Sequence, residues 1–289
     1  MMTFSLKLSY GISVSVLVTA VFLAQTLVRA LWQAMVVALL LLPLSMLPAH
    51  SADGGMGRSG YWLGQSRVVL TAADRGGATV SAVNGTQNVY LVQSRVYPAD
   101  GVTGYPVGVK GGKQVVKASV PFLVTPPLKR LDPGSILQLR VLPTRVSGLP
   151  KDRESLYFLS AKAIPSTPEK GSEKEGISIT MALDQNIKLF WRPAGLSATA
   201  IFDGEVAKML RFSADGDGLL VTNPTPYFVT FGSLSVNGVE PDPETLRRMV
   251  PPKGTQHYVL KKGAKLSGKV EWALIDEYGL STQVQHATL

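Results

Sequence analysis

One run of residues in this chain carries a legible chemistry, and it ends in a lysine. From Gly176 to Ile187 the side chains alternate with period two, and Lys188 follows directly. Ile177, Ile179, Met181 and Leu183 share one face; Ser178, Thr180, Ala182 and Asp184 share the other. A strand whose long apolar face ends in a fixed cation can pair with an extended, carboxylate-ended peptide. On periodicity alone the same face also fits the inner side of a sandwich. This is recognition chemistry, and nothing beside it points to catalysis. The three histidines, His50, His257 and His286, stand far apart and have no second ligand at metal spacing. There is no G-x-S-x-G elbow and no Walker-type loop, and Gly108 to Gly112 reads as a turn. No enzyme, cofactor, metal or small-molecule substrate is implied.

The elements that would hold such a strand are short and numerous. The chain has 289 residues, enough for two domains with a core each. Its 28 glycines and 19 prolines are spread at short intervals, which favours many strands joined by turns. From residue 65 onward we read strands at 66–70, 78–83, 89–97, 120–125, 136–142, 155–164 and 177–191. That is the number an immunoglobulin-like sandwich needs. Asn84-Gly85 between two of them is a hairpin signal. Residues 165–176 are polar and breaker-rich, so they read as an exposed loop. Pro193-Ala194-Gly195 reads as a hinge, placing a first domain over 53–192, the hinge over 193–197 and a second domain over 198–289. In the second unit TAIF, LLVTN, YFVTFGSLSV, HYVL and KVEWALID read as strands, and 246–249 as a short helical turn.

The net charge is +9, and no basic run is interleaved with aromatics, so nucleic acid is not an expected partner. Cysteine is absent, which excludes disulfides and thiolate chemistry. Residues 1–52 contain only Lys7 and Arg29 as charges, leaving +7 on the remainder. Within this stretch the run 34–48 is apolar and is followed by Ala49-His50-Ser51-Ala52. That order fits a signal peptide cleaved after Ala52, or a start site set too far upstream. The earlier run 11–28 is barely long enough to span a bilayer and raises the competing reading of a membrane anchor.

Four motifs stand in order: TPPLKRLDPGS (125–135), LPKDRESLYFLSAKAIP (149–165), IKLFWRP (187–193) and NPTPYFVT (223–230). Together they resemble the PapD-like periplasmic chaperones of the chaperone/usher pathway, from about Gln65 to Gly279. The resemblance implies an all-β protein of two immunoglobulin-like sandwiches set at an angle like a boomerang. It implies a periplasmic chaperone that binds and caps pilus subunits by donor-strand complementation and hands them to an outer-membrane usher without ATP. Arg67 and Lys188 match the family's basic pair, which anchors a subunit's terminal carboxylate. Such a group, taken out of water, needs charge-assisted hydrogen bonds. Ile177, Ile179, Met181 and Leu183 match the donated face. Glu154, Arg192 and Glu277 match a salt-bridge cluster between the domains, although this chain has Asp276-Glu277-Tyr278-Gly279 where Asn-Asp-aromatic-Gly is usual. If that cluster is exposed, each pair contributes only about 0–1 kcal/mol and serves orientation. The rival reading is a two-domain adhesive or structural protein tethered through an uncleaved N-terminus.

Overall fold

The computed structural model describes residues 59–100, 105–107, 109–110, 113–114, 120–166, 181–260 and 265–289. The N-terminal segment, the loop 167–176 and Ile177 and Ile179 therefore lie outside the described residues. So does most of the stretch read as a strand before Leu183.

Period-two alternation builds the first sandwich. Its strands are β1 (Tyr61–Leu63), β2 (Arg67–Thr71), β3 (Ala78–Asn84), β4 (Tyr90–Pro98), β5 (Val109–Lys110), β6 (Lys113–Gln114), β7 (Phe122–Thr125), β8 (Leu128–Leu131), β9 (Ile136–Pro143), β10 (Ser155–Pro165) and β11 (Leu183–Arg192). One sheet runs β1-β3-β9-β7 and the facing sheet β2-β11-β10-β4-β8, with β5 and β6 as a separate ribbon. Val68 and Leu70 of β2 bury one face together with Ile187, Leu189 and Trp191 of β11. They meet Val80, Leu139 and Val141 from the other sheet. Full burial of each such side chain contributes about 1.5–3 kcal/mol.

The second sandwich contains α1 (Glu205–Met209), β12 (Arg211–Asp215), β13 (Gly218–Asn223), β14 (Phe231–Val236), α2 (Pro243–Leu246), β15 (Gly254–Val259), β16 (Lys269–Leu274) and β17 (Gln285–Thr288). Its sheets run β12-β13-β15 and β14-β16-β17. Leu219, Val221, Val229, Tyr258, Val270 and Leu274 fill its centre.

Several local readings change. Asn84-Gly85 is not a hairpin, because β3 and β4 belong to opposite sheets. The Asn84 side chain is buried and donates to Asn88 O at 2.7 Å and Asp132 O at 3.0 Å. Its Oδ1 accepts from Thr86 N and Thr86 Oγ1. The same corner recurs in the second sandwich. There Asn223 donates to Tyr227 O and Pro251 O, while its Oδ1 accepts from Thr225 N and Oγ1. An Asx turn that crosses between sheets has replaced the expected hairpin. TAIF is not a strand: 199–202 are turns leading into α1. The helical turn lies at Pro243–Leu246, earlier than 246–249, because Asp242 caps it by accepting from Glu244 N and Thr245 N. The strands β1, β5, β6, β8, β12 and β17 are additional to those read from sequence.

Candidate functional site

Alternation decides which side chains leave the first core. In β11 the odd positions Ile187, Leu189 and Trp191 point inward, so Lys188, Phe190 and Arg192 point out of the sheet. In β2 the inward residues are Val68 and Leu70, so Arg67 faces the same way as Lys188. The two strands pair in parallel with Lys188 directly opposite Arg67. Arg67 therefore sits in the second strand of the domain, beside its last.

The second sandwich touches both cations. Arg67 Nη1 donates to Ile275 O at 3.0 Å and its guanidinium lies over the Phe190 ring. Lys188 Nζ donates to Thr230 Oγ1 at 3.3 Å. Among the described residues no carboxylate pairs with either cation, and Arg67 Nε is buried without an acceptor. Burial pushes both groups down, with the neighbouring Arg67 charge adding to the effect on Lys188, which falls to about 8. A cleft of about 660 Å³ opens at this pair. Arg67, Phe158, Asn186 and Lys188 form one wall; Thr230, Phe231 and Leu246 face them. Two desolvated donors with open capacity beside an apolar wall suit an anion carried on an apolar chain.

The described part of the apolar face, Met181 and Leu183, is displayed, not packed. Met181 is 71% exposed and Leu183 is 40% exposed. Both have the same odd parity as Ile187, Leu189 and Trp191. The stripe that fills the domain's own core thus continues beyond its rim into water.

Glu154, Arg192 and Glu277 come together, and they are buried. Arg192 Nε meets Glu154 Oε1 at 2.5 Å and Arg192 Nη2 meets Glu277 Oε1 at 2.8 Å, with the Arg192 side chain only 1% exposed. This departs from the exposed pair considered in the sequence, because further donors satisfy the charges. Glu154 Oε2 accepts from Phe228 N; Glu277 accepts from Ile201 N and Phe202 N. Arg192 also donates to Ser197 O and stacks on Tyr227 at 4.7 Å. Burial works against the Arg192 charge, but Glu154 and Glu277 outweigh it and hold the guanidinium above its usual value. Asp276, in the position where Asn is usual, accepts from Tyr278 N and Leu280 N and shapes this loop. Gly279 (φ +82°) closes it, and a Cβ there would stand 2.2 Å from Ser66 Oγ.

Sequence reading missed the partners: Thr230, Ile275, Tyr227 and Phe228. Thr230, Tyr227 and Phe228 all lie within NPTPYFVT, so that motif carried the signal.

Two family models match this architecture. Residues 60–197 match the pili and flagellar-assembly chaperone, PapD N-terminal domain, and residues 205–286 match the pili assembly chaperone PapD, C-terminal domain. The probable fimbrial chaperone protein ElfD of Escherichia coli K12 is 33% identical over 239 residues, 82% of this chain and 91% of its own. The chaperone protein FimC of the same strain is 31% identical over 243 residues, 84% of this chain and 88% of its own. Among solved structures, the Salmonella enterica complex of SafA pilin with the SafB chaperone aligns with TM-score 0.65 and 31% identity. It covers 80% of this chain and 97% of that one.

Proposed function

This chain belongs to the PapD-like pilus-assembly chaperones, and from that premise we propose how it works: it captures a pilus subunit by lending it the strand segment that leads up to Lys188. The family is one of chaperones, not enzymes. The observation that carries the reading is the exposed continuation of the core stripe at Met181 and Leu183, in line with the cation pair Arg67 and Lys188. A subunit lacking a strand presents an apolar groove along an unpaired edge, which would otherwise aggregate. The segment running through Ile177, Ile179, Met181 and Leu183 fills that groove as an added strand. Arg67 and Lys188 hold the subunit's terminal carboxylate and fix the register. Glu154, Arg192 and Glu277 hold the two sandwiches together, and so hold Thr230 and Ile275 against the cations.

Delivery to an outer-membrane usher follows as exchange of one donated strand for another, which runs downhill without nucleotide hydrolysis. The site of action is the periplasm, with residues 1–52 serving export and removed after Ala52. The test is to mix the purified mature chain with a purified pilus subunit in nucleotide-free buffer and follow subunit solubility and complex formation. A stoichiometric complex that releases subunit to a competing strand is expected. Aggregation of the subunit at the same rate with and without the chain rejects this reading.

A further inference from the structure

Seven of the eight odd positions from Ile177 to Trp191 are apolar; the eighth is Gln185. It stands where the stripe leaves the core, between buried Ile187 and exposed Leu183. Both ends of its amide are engaged. Oε1 accepts from Leu63 N at 2.9 Å and Nε2 donates to Tyr61 O at 2.8 Å, so one side chain makes both bonds of a ladder step with β1. Tyr61 closes the tie by donating its hydroxyl to Ala161 O at 3.3 Å, and Ala161 is the residue paired with Gln185 in β10. Three residues further along β11, Lys188 begins the backbone pairing with β2.

We propose that Gln185 is a positioning residue that divides β11 into a part kept by this chain and a part lent to the subunit. The proposal rests on the strand-lending function above. A sheet register can shift by two residues without turning any side chain over. Such a slip of β11 toward its own core would bring Leu183 to the rim, exchanging exposed for buried apolar surface. It would also move Gln185 to the place of Ile187, where an amide loses its partners and costs stability. It would carry Lys188 away from Arg67 as well. Gln185 therefore keeps the lent stripe outside and the cation pair in register. With an apolar residue there the stripe becomes continuous, and the penalty that Gln185 places on the slip is lost, leaving Arg192 and the cation pair to oppose it.

The test uses the full mature chain with a purified subunit. Gln185→Met keeps length and loses both hydrogen bonds. Gln185→Glu regains them only when protonated, as an isostere of the amide. Two hydrogen bonds of ordinary strength correspond to about tenfold or more in the equilibrium between the two registers, and the slipped register holds the subunit poorly. The Met variant should release subunit about tenfold faster than wild type at both pH 5 and pH 8. The Glu variant should release about tenfold faster at pH 8 and move toward wild type at pH 5, where a larger fraction of its carboxyl is protonated. Circular dichroism first establishes that each variant is folded. Should Gln185→Met fail to fold, the pH contrast of Gln185→Glu decides alone. Wild-type release rates for the folded variants at pH 8 overturn the role of Gln185 while leaving the chaperone reading intact. Absence of any complex with the wild-type chain overturns both.

Discussion

Lys188 stands directly opposite Arg67 across a parallel ladder, both facing the second sandwich and neither paired with a carboxylate among the described residues. Two cations side by side in a largely buried site raise the free energy of the empty protein. That arrangement makes sense where a ligand anion completes it. Bound to a carboxylate, Lys188 must be charged; unbound, burial disfavours that charge.

The consequence for pH has a definite sign. In the folded chain Lys188 titrates at about 8, against 10.5 for an ordinary lysine. Below pH 8 the folded state carries a disfavoured charge, and between pH 8 and 10.5 the unfolded chain binds more protons. Stability of the empty chaperone attributable to Lys188 should therefore rise across that window. Lys188→Met should remove this rise, measured by denaturant unfolding at pH 7 and pH 10. Affinity for a subunit ending in a free carboxylate should fall as pH rises above 8. Calorimetry at pH 8.5 in two buffers of different ionisation enthalpy should report proton uptake on binding.

Replacing Lys188 should separate binding from folding, whereas Arg67 also holds Ile275 O and Phe190. Lys188→Ala or Arg67→Ala removes one partner of a desolvated charge contact, a loss of about 3–5 kcal/mol in the complex. The empty protein loses little from Lys188→Ala, since its side chain makes one 3.3 Å bond to Thr230. Subunit capture should drop below detection while thermal unfolding of the chaperone barely changes. Wild-type capture by Lys188→Ala would remove the carboxylate anchor from the mechanism.

The buried triad should behave in the opposite way. Arg192→Ala leaves the Glu154 and Glu277 carboxylates buried without a counter-charge, which costs about 3–5 kcal/mol. Calorimetric unfolding of the empty chain should show this loss. In a double-mutant cycle of Arg192 with Glu277 the coupling should exceed that of the exposed pair Asp152 and Lys253. Equal coupling in both pairs would reduce the triad to a surface contact.

The residues that carry this chemistry were legible in the sequence to different degrees, for physical reasons. The β11 stripe shows because strand period is local and side chains alternate whatever surrounds them. TAIF misleads: its residues favour a strand, yet the Glu277 carboxylate takes the Ile201 and Phe202 amides and holds a turn. Asn84-Gly85 misleads likewise, because its decisive contact, Asp132 O, lies far along the chain. The types in the Glu154–Arg192–Glu277 set were readable but their burial was not, since it depends on Tyr227 and Phe228 arriving from the other sandwich. Gln185 looks like a mere break in an apolar run until β1, only three residues long, is laid beside it.

The lent face itself gives the most direct prediction. Met181 and Leu183 are exposed in the empty chaperone, so an aspartate at 181 leaves its folding unaffected. In the complex the same side chain enters the subunit groove, where an unpaired carboxylate is costly to bury. Met181→Asp, and Ile179→Asp beside it, should therefore abolish protection of the subunit from aggregation and proteolysis. The opposite face of the strand carries Ser178 and Thr180, which meet no groove if alternate side chains point inward. Exchanging Ser178 for Thr, or Thr180 for Ser, should change subunit half-life less than about twofold, as surface substitutions do. Measured side by side by light scattering of the subunit, the two faces should separate cleanly. Equal loss from both faces would mean that this strand is not inserted as an alternating donor, and the reading built on Met181 and Leu183 would fall with it.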